Sequence, residues 1–426
     1  MTLLWVLLLL LGAIGLGMPI AFALAVVSIL ILALGGVDML VVAQRLYRGV
    51  NSFPLLAVPL FILAGQIMNH SGISARLVDF AKTLVGAMKG GLAAVNIVTS
   101  MFFAGMSGTS MSDTAAVGGI MIPPMIKRGY SAAFTGAVTA SSSTIGIIIP
   151  PSVPMVILGA FMGVSTGALF AAGMVAGILL GLGLILAAWV ISRRYGYPSE
   201  DPFSLRAVVS SFWRAFPALM MPVIILGGIL GGLFTPTEAA AVAVVYGILV
   251  SMGVYRSLPL RKLYQAGVES SVLTGAVMLV TATAHVLGFT FAYENLAESV
   301  LRPVTGMDMS PLVFLIMVSV FLIIAGTFLD GIAMMFIMVP LFLPTAQALG
   351  VDPLQFAMVV ILCWGIGQQT PPVGAALFIT SVIARVDVLR LTWANIPFIG
   401  VMIAVLALII LFPEAIVLFV PRMLGL

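Results

Sequence analysis

The chain has 426 residues, of which 62% are hydrophobic and only 8% are charged. A soluble domain carries about 25% charged residues, so the composition excludes a soluble core and indicates an integral membrane protein. The formal net charge is +4. It does not indicate a nucleic-acid partner, because the basic residues are spread through short connections and form no run interleaved with aromatic residues.

The first half of the chain, residues 1–192, is predicted to contain several membrane helices. Apolar helices are expected between Leu3 and Gly35 and at about Pro54 to Met68, since about 20 apolar residues cross the hydrocarbon core. Polar residues interrupt the apolar segment at about 92–125, which predicts a re-entrant hairpin. The next segment, about 131–163, is predicted to be a transmembrane helix broken by a pair of prolines.

The second half has the same order of parts. A polar connection, residues 193–214, is predicted to be a cytoplasmic loop, and residues 215–426 to form a second unit. Within that unit we expect a second hairpin at about 311–346 and a second broken helix at about 353–384.

The spacing of prolines, aspartates and glycines indicates that the two halves are an internal repeat. Several separations agree in one order along the chain, and repeats of this kind underlie many transporter folds. The matching separations are 94 residues from Pro19 to Asp113 and from Pro236 to Asp330, and 21 residues from Gly129 to Pro150 and from Gly350 to Pro371.

These features together predict an all-α polytopic membrane protein. It consists of two inverted-topology repeats, each with a re-entrant hairpin and a Pro-Pro-broken transmembrane helix. With five crossings in each half and both termini in the periplasm, most lysines and arginines lie on the cytoplasmic side, as membrane topology requires.

The two broken helices are the strongest candidates for a binding site. A proline pair removes two backbone donors and frees the carbonyls one turn earlier, and such a break is tolerated only inside protein or beside a polar cavity. Carbonyl and hydroxyl oxygens are hard ligands that suit sodium, and half-helix N-termini suit a carboxylate. The alternative is that the prolines only kink the helices and the small residues only pack, which is the favoured interpretation for any single proline.

Two carboxylates, Asp113 and Asp330, follow the polar tips of the hairpins. Ionisable residues at membrane depth are functional candidates. The alternative is that each caps the half-helix that follows its tip, and the two roles are compatible. Glu238 has a structural explanation, since Thr235-Pro-Thr-Glu238 is a capping box.

No enzyme class is supported by the sequence. It contains no phosphate-binding loop with the pattern GxxxxGK[ST] and no cluster of metal ligands with enzyme spacing. The single cysteine, Cys363, excludes a disulfide framework.

Five short motifs follow one another along almost the whole chain: Ser52-Phe-Pro-Leu-Leu-Ala-Val-Pro-Leu-Phe-Ile-Leu-Ala-Gly65, Ser107-Gly-Thr-Ser-Met-Ser-Asp-Thr-Ala-Ala-Val-Gly118, Ile149-Pro-Pro-Ser152, Phe234-Thr-Pro-Thr-Glu-Ala-Ala-Ala241 and Thr370-Pro-Pro-Val-Gly374. In this order they resemble the large membrane subunit of tripartite ATP-independent periplasmic (TRAP) transporters.

The resemblance implies an elevator-type carrier of the bacterial inner membrane, with an architecture like that of the ion transporter superfamily. It implies sodium as the coupling ion, no other cofactor, and two partners, a small four-helix membrane subunit and a periplasmic substrate-binding protein. The implied substrates are organic acids of the C4-dicarboxylate, sialic acid, keto acid or sugar acid type. A stand-alone carrier of organic anions without a binding protein and a passive channel are the alternatives.

The resemblance also implies where the ligands bind. The first sodium site would use Ser107, Ser110, Gly146, Ile149 and Pro151, and the second Gly326, Leu329, Gly367, Thr370 and Val373. The substrate would lie between them, near Asp113, Ser141, Ser142, Ser143 and Thr144. No lysine or arginine lies within either break, so a substrate carboxylate would depend on amides, hydroxyls and sodium.

Overall fold

The computed structural model describes residues 3–200, 202–306 and 309–425, and in these ranges the regular secondary structure is entirely helical. Apolar runs form the helices, and glycines and prolines separate them. The first half contains α1 (Leu3–Gly15), α2 (Ile20–Leu34), α3 (Met39–Val50), α4 (Ala57–His70), α5 (Ile73–Val85), α6 (Gly91–Ser107), α7 (Ser110–Lys127), α8 (Ala132–Ser143), α9 (Val153–Met162) and α10 (Thr166–Tyr195).

The second half contains a corresponding series of helices. Eight helices of the described ranges, distributed over both halves, are long and apolar enough to cross a membrane. The second series is α11 (Leu205–Leu230), α12 (Pro236–Ile248), α13 (Leu260–Tyr293), α14 (Leu296–Gly306), α15 (Pro311–Phe328), α16 (Gly331–Ala348), α17 (Pro353–Gly367), α18 (Ala375–Ala384), α19 (Val388–Leu411) and α20 (Phe419–Met423).

Two helical hairpins occupy the segments with polar tips. Helices α6 and α7 are joined by two residues and pack against each other, and so do α15 and α16. The tip of the first hairpin turns at Gly108, whose φ of +64° lies in the left-handed region that glycine adopts without strain. The second hairpin turns at Leu329 and Asp330, and the Asp330 carboxylate accepts a hydrogen bond from Ile332 N at 3.1 Å.

The connection between the halves is shorter than the segment 193–214 expected from its polarity. Helix α10 continues through Arg193 and Arg194 to Tyr195, and α11 already begins at Leu205, so only residues 196–204 lie between them. The extra helical turns have physical causes. The two arginines occupy the last turn of α10 and complement its dipole, and the first turns of α11 bury Ser211 while Arg214 is exposed.

Glu200 anchors this connection on the first half. Its side chain is 3% exposed, and its Oε2 lies 3.1 Å from Lys82 Nζ and 3.3 Å from an Arg128 nitrogen. Its backbone N–H donates to the Gly86 carbonyl at 2.9 Å. The connection therefore ties α5 to the end of the first hairpin.

The packing separates two groups of helices that define the site. Helix α4 packs against α12 and α13, while α7, α8 and α18 pack against one another and α17 packs against α15 and α16. Contacts of α17 with α9 and with the turn at residues 144–147 join these last two sets, and α4 and α13 pack on them from the side of the tips, α4 against α6 and α9 and α13 against α16.

Candidate functional site

The first broken helix meets the tip of the first hairpin directly. Helix α8 ends at Ser143, a tight turn spans residues 144–147, and α9 begins after the proline pair at Val153. The Val153 N–H donates to the Gly108 carbonyl at 3.2 Å, and the Ser110 and Ser143 hydroxyl oxygens are 3.1 Å apart. Because the prolines donate no hydrogen bonds, the break leaves carbonyls available beside the polar tip.

Asp113 is the centre of this meeting point. Its side chain is fully buried, Ser107 Oγ donates to its Oδ1, and its Oδ2 has no hydrogen-bond partner among the described residues. Gly146 lies so close that any β-carbon there would overlap the carboxylate. A buried carboxyl oxygen without a hydrogen-bond partner is costly, and carboxylate, hydroxyl and carbonyl oxygens are ligands that hard cations prefer. The arrangement is therefore chemically suited to a cation.

The structure brings together much of the first predicted sodium set. Ser107 and Gly146 both contact Asp113, Ser110 faces Ser143, and the Pro151 carbonyl lies against Gly108. The Ile149 side chain instead packs on Gly177 of α10. Ile149 can therefore contribute only its backbone carbonyl.

The second hairpin and the second break repeat this arrangement. The Val373 N–H donates to the Thr327 carbonyl at 3.1 Å, as Val153 does to Gly108. Gly326 and Gly367 are in backbone contact, since a β-carbon on Gly367 would lie 2.7 Å from Gly326 Cα. Thr370 Oγ1 donates to the Ile366 carbonyl at 2.9 Å. The second predicted set is thus also gathered at one place.

Two members of the second set have limited roles. Leu329 is a buried apolar residue at the tip, and the Val373 side chain is 49% exposed. Each can offer a cation only its carbonyl oxygen. Asp330 caps α16, so its expected capping role is confirmed.

The predicted substrate residues are buried and lie outside the large cavity described next. Ser141, Ser142, Ser143 and Thr144 are each at most 1% exposed, and each hydroxyl has a hydrogen-bond partner inside the protein. None of them, nor Asp113, lines the large cavity described next.

A cavity of about 890 Å³ lies between α4, α13 and the two hairpin tips. Its polar lining includes Ser112 and Thr109 of the first hairpin and Asp330 of the second. No lysine or arginine is among the described residues that line it. His70 Nε2 and Glu269 Oε2, which are 2.9 Å apart, join α4 and α13 at its wall. The cavity is large enough for a small organic molecule.

Two amide residues that line this cavity each carry a polar atom without a hydrogen-bond partner among the described residues. The Gln368 side chain is 4% exposed, and its Nε2 has no hydrogen-bond partner among the described residues. Asn69 donates from Nδ2 to Ser112 Oγ at 2.8 Å, while its Oδ1 is buried without a partner. Both residues line the cavity, while the unpaired Gln368 Nε2 and Asn69 Oδ1 atoms are themselves buried behind its wall.

The sequence analysis did not identify Asn69 as part of the site. A signal was present, because Gln66, Asn69 and His70 have the spacing of one helical face in an otherwise apolar helix.

Comparison with solved structures supports the fold assignment. The YdaH transporter of Alcanivorax borkumensis superposes with a TM-score of 0.66 at 13% identity, covering 88% of this chain and 87% of that one. MtrF of Neisseria gonorrhoeae superposes with a TM-score of 0.62 at 14% identity, covering 88% and 86%. At these identities the similarity establishes the fold alone.

Sequence relatives are much closer. The C4-dicarboxylate TRAP transporter large permease protein DctM of Pseudomonas aeruginosa is 38% identical over 383 residues, 90% of each chain. The sialic acid TRAP transporter large permease protein SiaM of Vibrio cholerae is 37% identical over 405 residues, 95% of each chain. The isethionate TRAP transporter permease protein DctMQ of Oleidesulfovibrio alaskensis is 37% identical over 92% of this chain, which spans 62% of that relative.

The match to a family model extends over residues 4–415, and the model describes the DctM component of the tripartite ATP-independent periplasmic transporter. This family comprises permease subunits of transporters and not enzymes. The chain, a multi-pass membrane protein, therefore belongs to the DctM family of TRAP transporter large permease subunits.

Proposed function

We propose that this chain is the transport subunit of a sodium-coupled importer of small organic acids in the bacterial inner membrane. In this proposal a periplasmic binding protein delivers the substrate, a small four-helix membrane subunit completes the permease, and both termini of the chain are periplasmic. The substrates named for the relatives, C4-dicarboxylate, sialic acid and isethionate, are all organic acids, which supports the substrate class.

The main support for sodium coupling is the Asp113 Oδ2 atom, which is buried without a hydrogen-bond partner among the described residues. It lies beside the tip of the first hairpin and the first helix break. A sodium ion there would satisfy the oxygen and offset the cost of burying the charge. The first ion would use the Asp113 carboxylate, the hydroxyls of Ser107 and Ser110 and the carbonyls of Gly146, Ile149 and Pro151. The second would use the Thr370 hydroxyl and carbonyls of Gly326, Leu329, Gly367 and Val373.

The cavity is the proposed place of the substrate. The Gln368 amide would donate to a carboxylate or hydroxyl of the substrate, and Asn69 Oδ1 would accept from a hydroxyl or amide. The run from Ser141 to Thr144 would then support the first sodium site from behind. Because no lysine or arginine is found among the described lining residues, sodium would supply the positive charge next to the anion.

An elevator motion fits the placement of these residues. The hairpins and broken helices would move as one body against α4 and α13. The Asn69–Ser112 hydrogen bond joins the two helical groups and would break during the movement. Substrate held between the groups would thereby be exposed to one side of the membrane at a time.

Two substitutions test the sodium sites. We expect Ser107→Ala and Thr370→Ala each to raise the sodium concentration for half-maximal uptake in proteoliposomes that contain the complete complex. Thr380→Ala is the matched control for Thr370, because each threonine hydroxyl donates to the carbonyl four residues earlier. It should leave sodium dependence unchanged. Unaltered sodium dependence in both site variants would refute the assignment.

A further inference from the structure

We infer that Gln369 couples the two sodium sites, so that binding of one ion strengthens binding of the other. The inference rests on the proposed function. Gln369 lies in the second break, directly before Thr370, but its side chain reaches the first break. It therefore joins two sites that the chain places in different halves.

The hydrogen bonds of Gln369 define this connection. The side chain is fully buried, and its Nε2 donates to the Ala140 carbonyl at 2.5 Å and to Thr144 Oγ1 at 3.0 Å. Thr144 begins the turn that contains Gly146. The amide thus connects a residue next to Thr370 with the turn that supplies ligands of the first site.

Asn395 of α19 fixes the orientation of the Gln369 amide. Its Nδ2 lies 3.4 Å from both the carbonyl oxygen and Oε1 of Gln369, and its Oδ1 accepts from Ser141 Oγ at 2.5 Å. Asn395 is fully buried. The acceptor side of Gln369 is therefore occupied, which leaves its Nε2 to bind the first break.

The repeat gives no reason for a glutamine at this position. Gln369 precedes Pro371 by two residues, and the residue two before Pro150 is Ile148, an apolar residue. A break in the helix can therefore be built without a buried amide. The buried amide that links the two breaks therefore comes from the second half only.

Binding at either site would further restrain this amide. A sodium ion on the Gly146 carbonyl fixes the turn that starts at Thr144 and so fixes the acceptor of Gln369. The ordered amide then holds Thr370 in place. The second ion therefore loses less binding free energy to the conformational ordering of its site. In a buried network, each hydrogen bond polarises and strengthens its neighbours more than it would in water.

The test is a sodium titration of initial uptake by the complete complex with its binding protein. We expect the Hill coefficient for sodium to fall from about 2 in the unmodified complex to about 1 in Gln369→Met. The Hill coefficient does not depend on how many molecules are active, so a loss of folded protein alone would not change it.

A matched control lies in the helix that precedes the second break. Gln355 is a buried glutamine of α17 whose Nε2 donates to the carbonyls of Ile409 and Ile410, at 3.1 and 3.2 Å. It contacts neither break through these bonds. Gln355→Met should keep the Hill coefficient of the unmodified complex.

Thr144→Val provides a second test, because it removes an acceptor of the same bond. It should lower the Hill coefficient as Gln369→Met does, and the double variant should show no further decrease. This variant decides the question if Gln369→Met fails to assemble.

The outcomes separate the inference from the proposed function. A Hill coefficient of about 2 in both Gln369→Met and Thr144→Val would overturn the coupling, and so would a Hill coefficient of about 1 in the unmodified complex. Either result leaves sodium-driven transport intact. Uptake by the unmodified complex that does not depend on sodium would instead contradict the proposed function itself.

Discussion

The contact between Gly326 and Gly367 gives a sharp prediction for the second sodium site. In Gly367→Ala the new β-carbon would lie 2.7 Å from Gly326 Cα and 3.0 Å from its carbonyl oxygen. Non-bonded carbon atoms prefer about 3.5–4.0 Å, so the two backbones must separate by about 0.8–1.3 Å. A binding site tolerates displacements of only about 0.5 Å. The substitution therefore moves carbonyl ligands out of reach.

The size of the effect follows from the loss of one ligand. A polar contact to a charged group contributes about 1.5–3 kcal/mol, so the half-saturating sodium concentration should rise roughly ten- to hundredfold. Sodium titration of uptake measures it. The control is Gly400→Ala in α19, where a β-carbon would have no neighbour within 4 Å. Unchanged sodium affinity in a folded Gly367→Ala variant would refute the reasoning.

Two further substitutions address the cavity and the connection between the halves. Gln368→Leu removes the unused donor, so we expect a lower apparent affinity for substrate with little change in sodium affinity; equal substrate affinity would exclude Gln368 as a contact. Glu200→Gln removes the charge between Lys82 and Arg128, which are partly exposed, so we expect a loss of about 1–2 kcal/mol in stability. Thermal unfolding of the purified complex measures this, and an unchanged midpoint would mean that the ion pairs do not stabilise the fold.

Short patterns in the sequence predicted the hairpins and the helix breaks, because these features depend on residues that are close together in the chain. Polar tips in apolar segments indicated hairpins at 92–125 and 311–346, and the helix pairs α6–α7 and α15–α16 lie there. The two proline pairs predicted the two helix breaks, because proline has no backbone N–H to donate within a helix. The family and the all-helical membrane fold followed from composition and motifs.

Other features depend on packing between distant segments and have no local signal. Thr144 and Gln369 are separated by 225 residues, and nothing in either segment predicts that they form a hydrogen bond. Nor does sequence show that the hydroxyls from Ser141 to Thr144 are satisfied within the protein while Gln368 is not. Helix α3 was not anticipated either, although its Asp38 cap and amphipathic pattern are local signals.

The most direct test of the central claim is uptake by proteoliposomes that contain the large and small subunits, with the binding protein added outside. Uptake should require both an inward sodium gradient and the loaded binding protein. Uptake without the binding protein would indicate a stand-alone carrier. Uptake that persists after the sodium gradient is collapsed would contradict sodium-coupled transport by this chain.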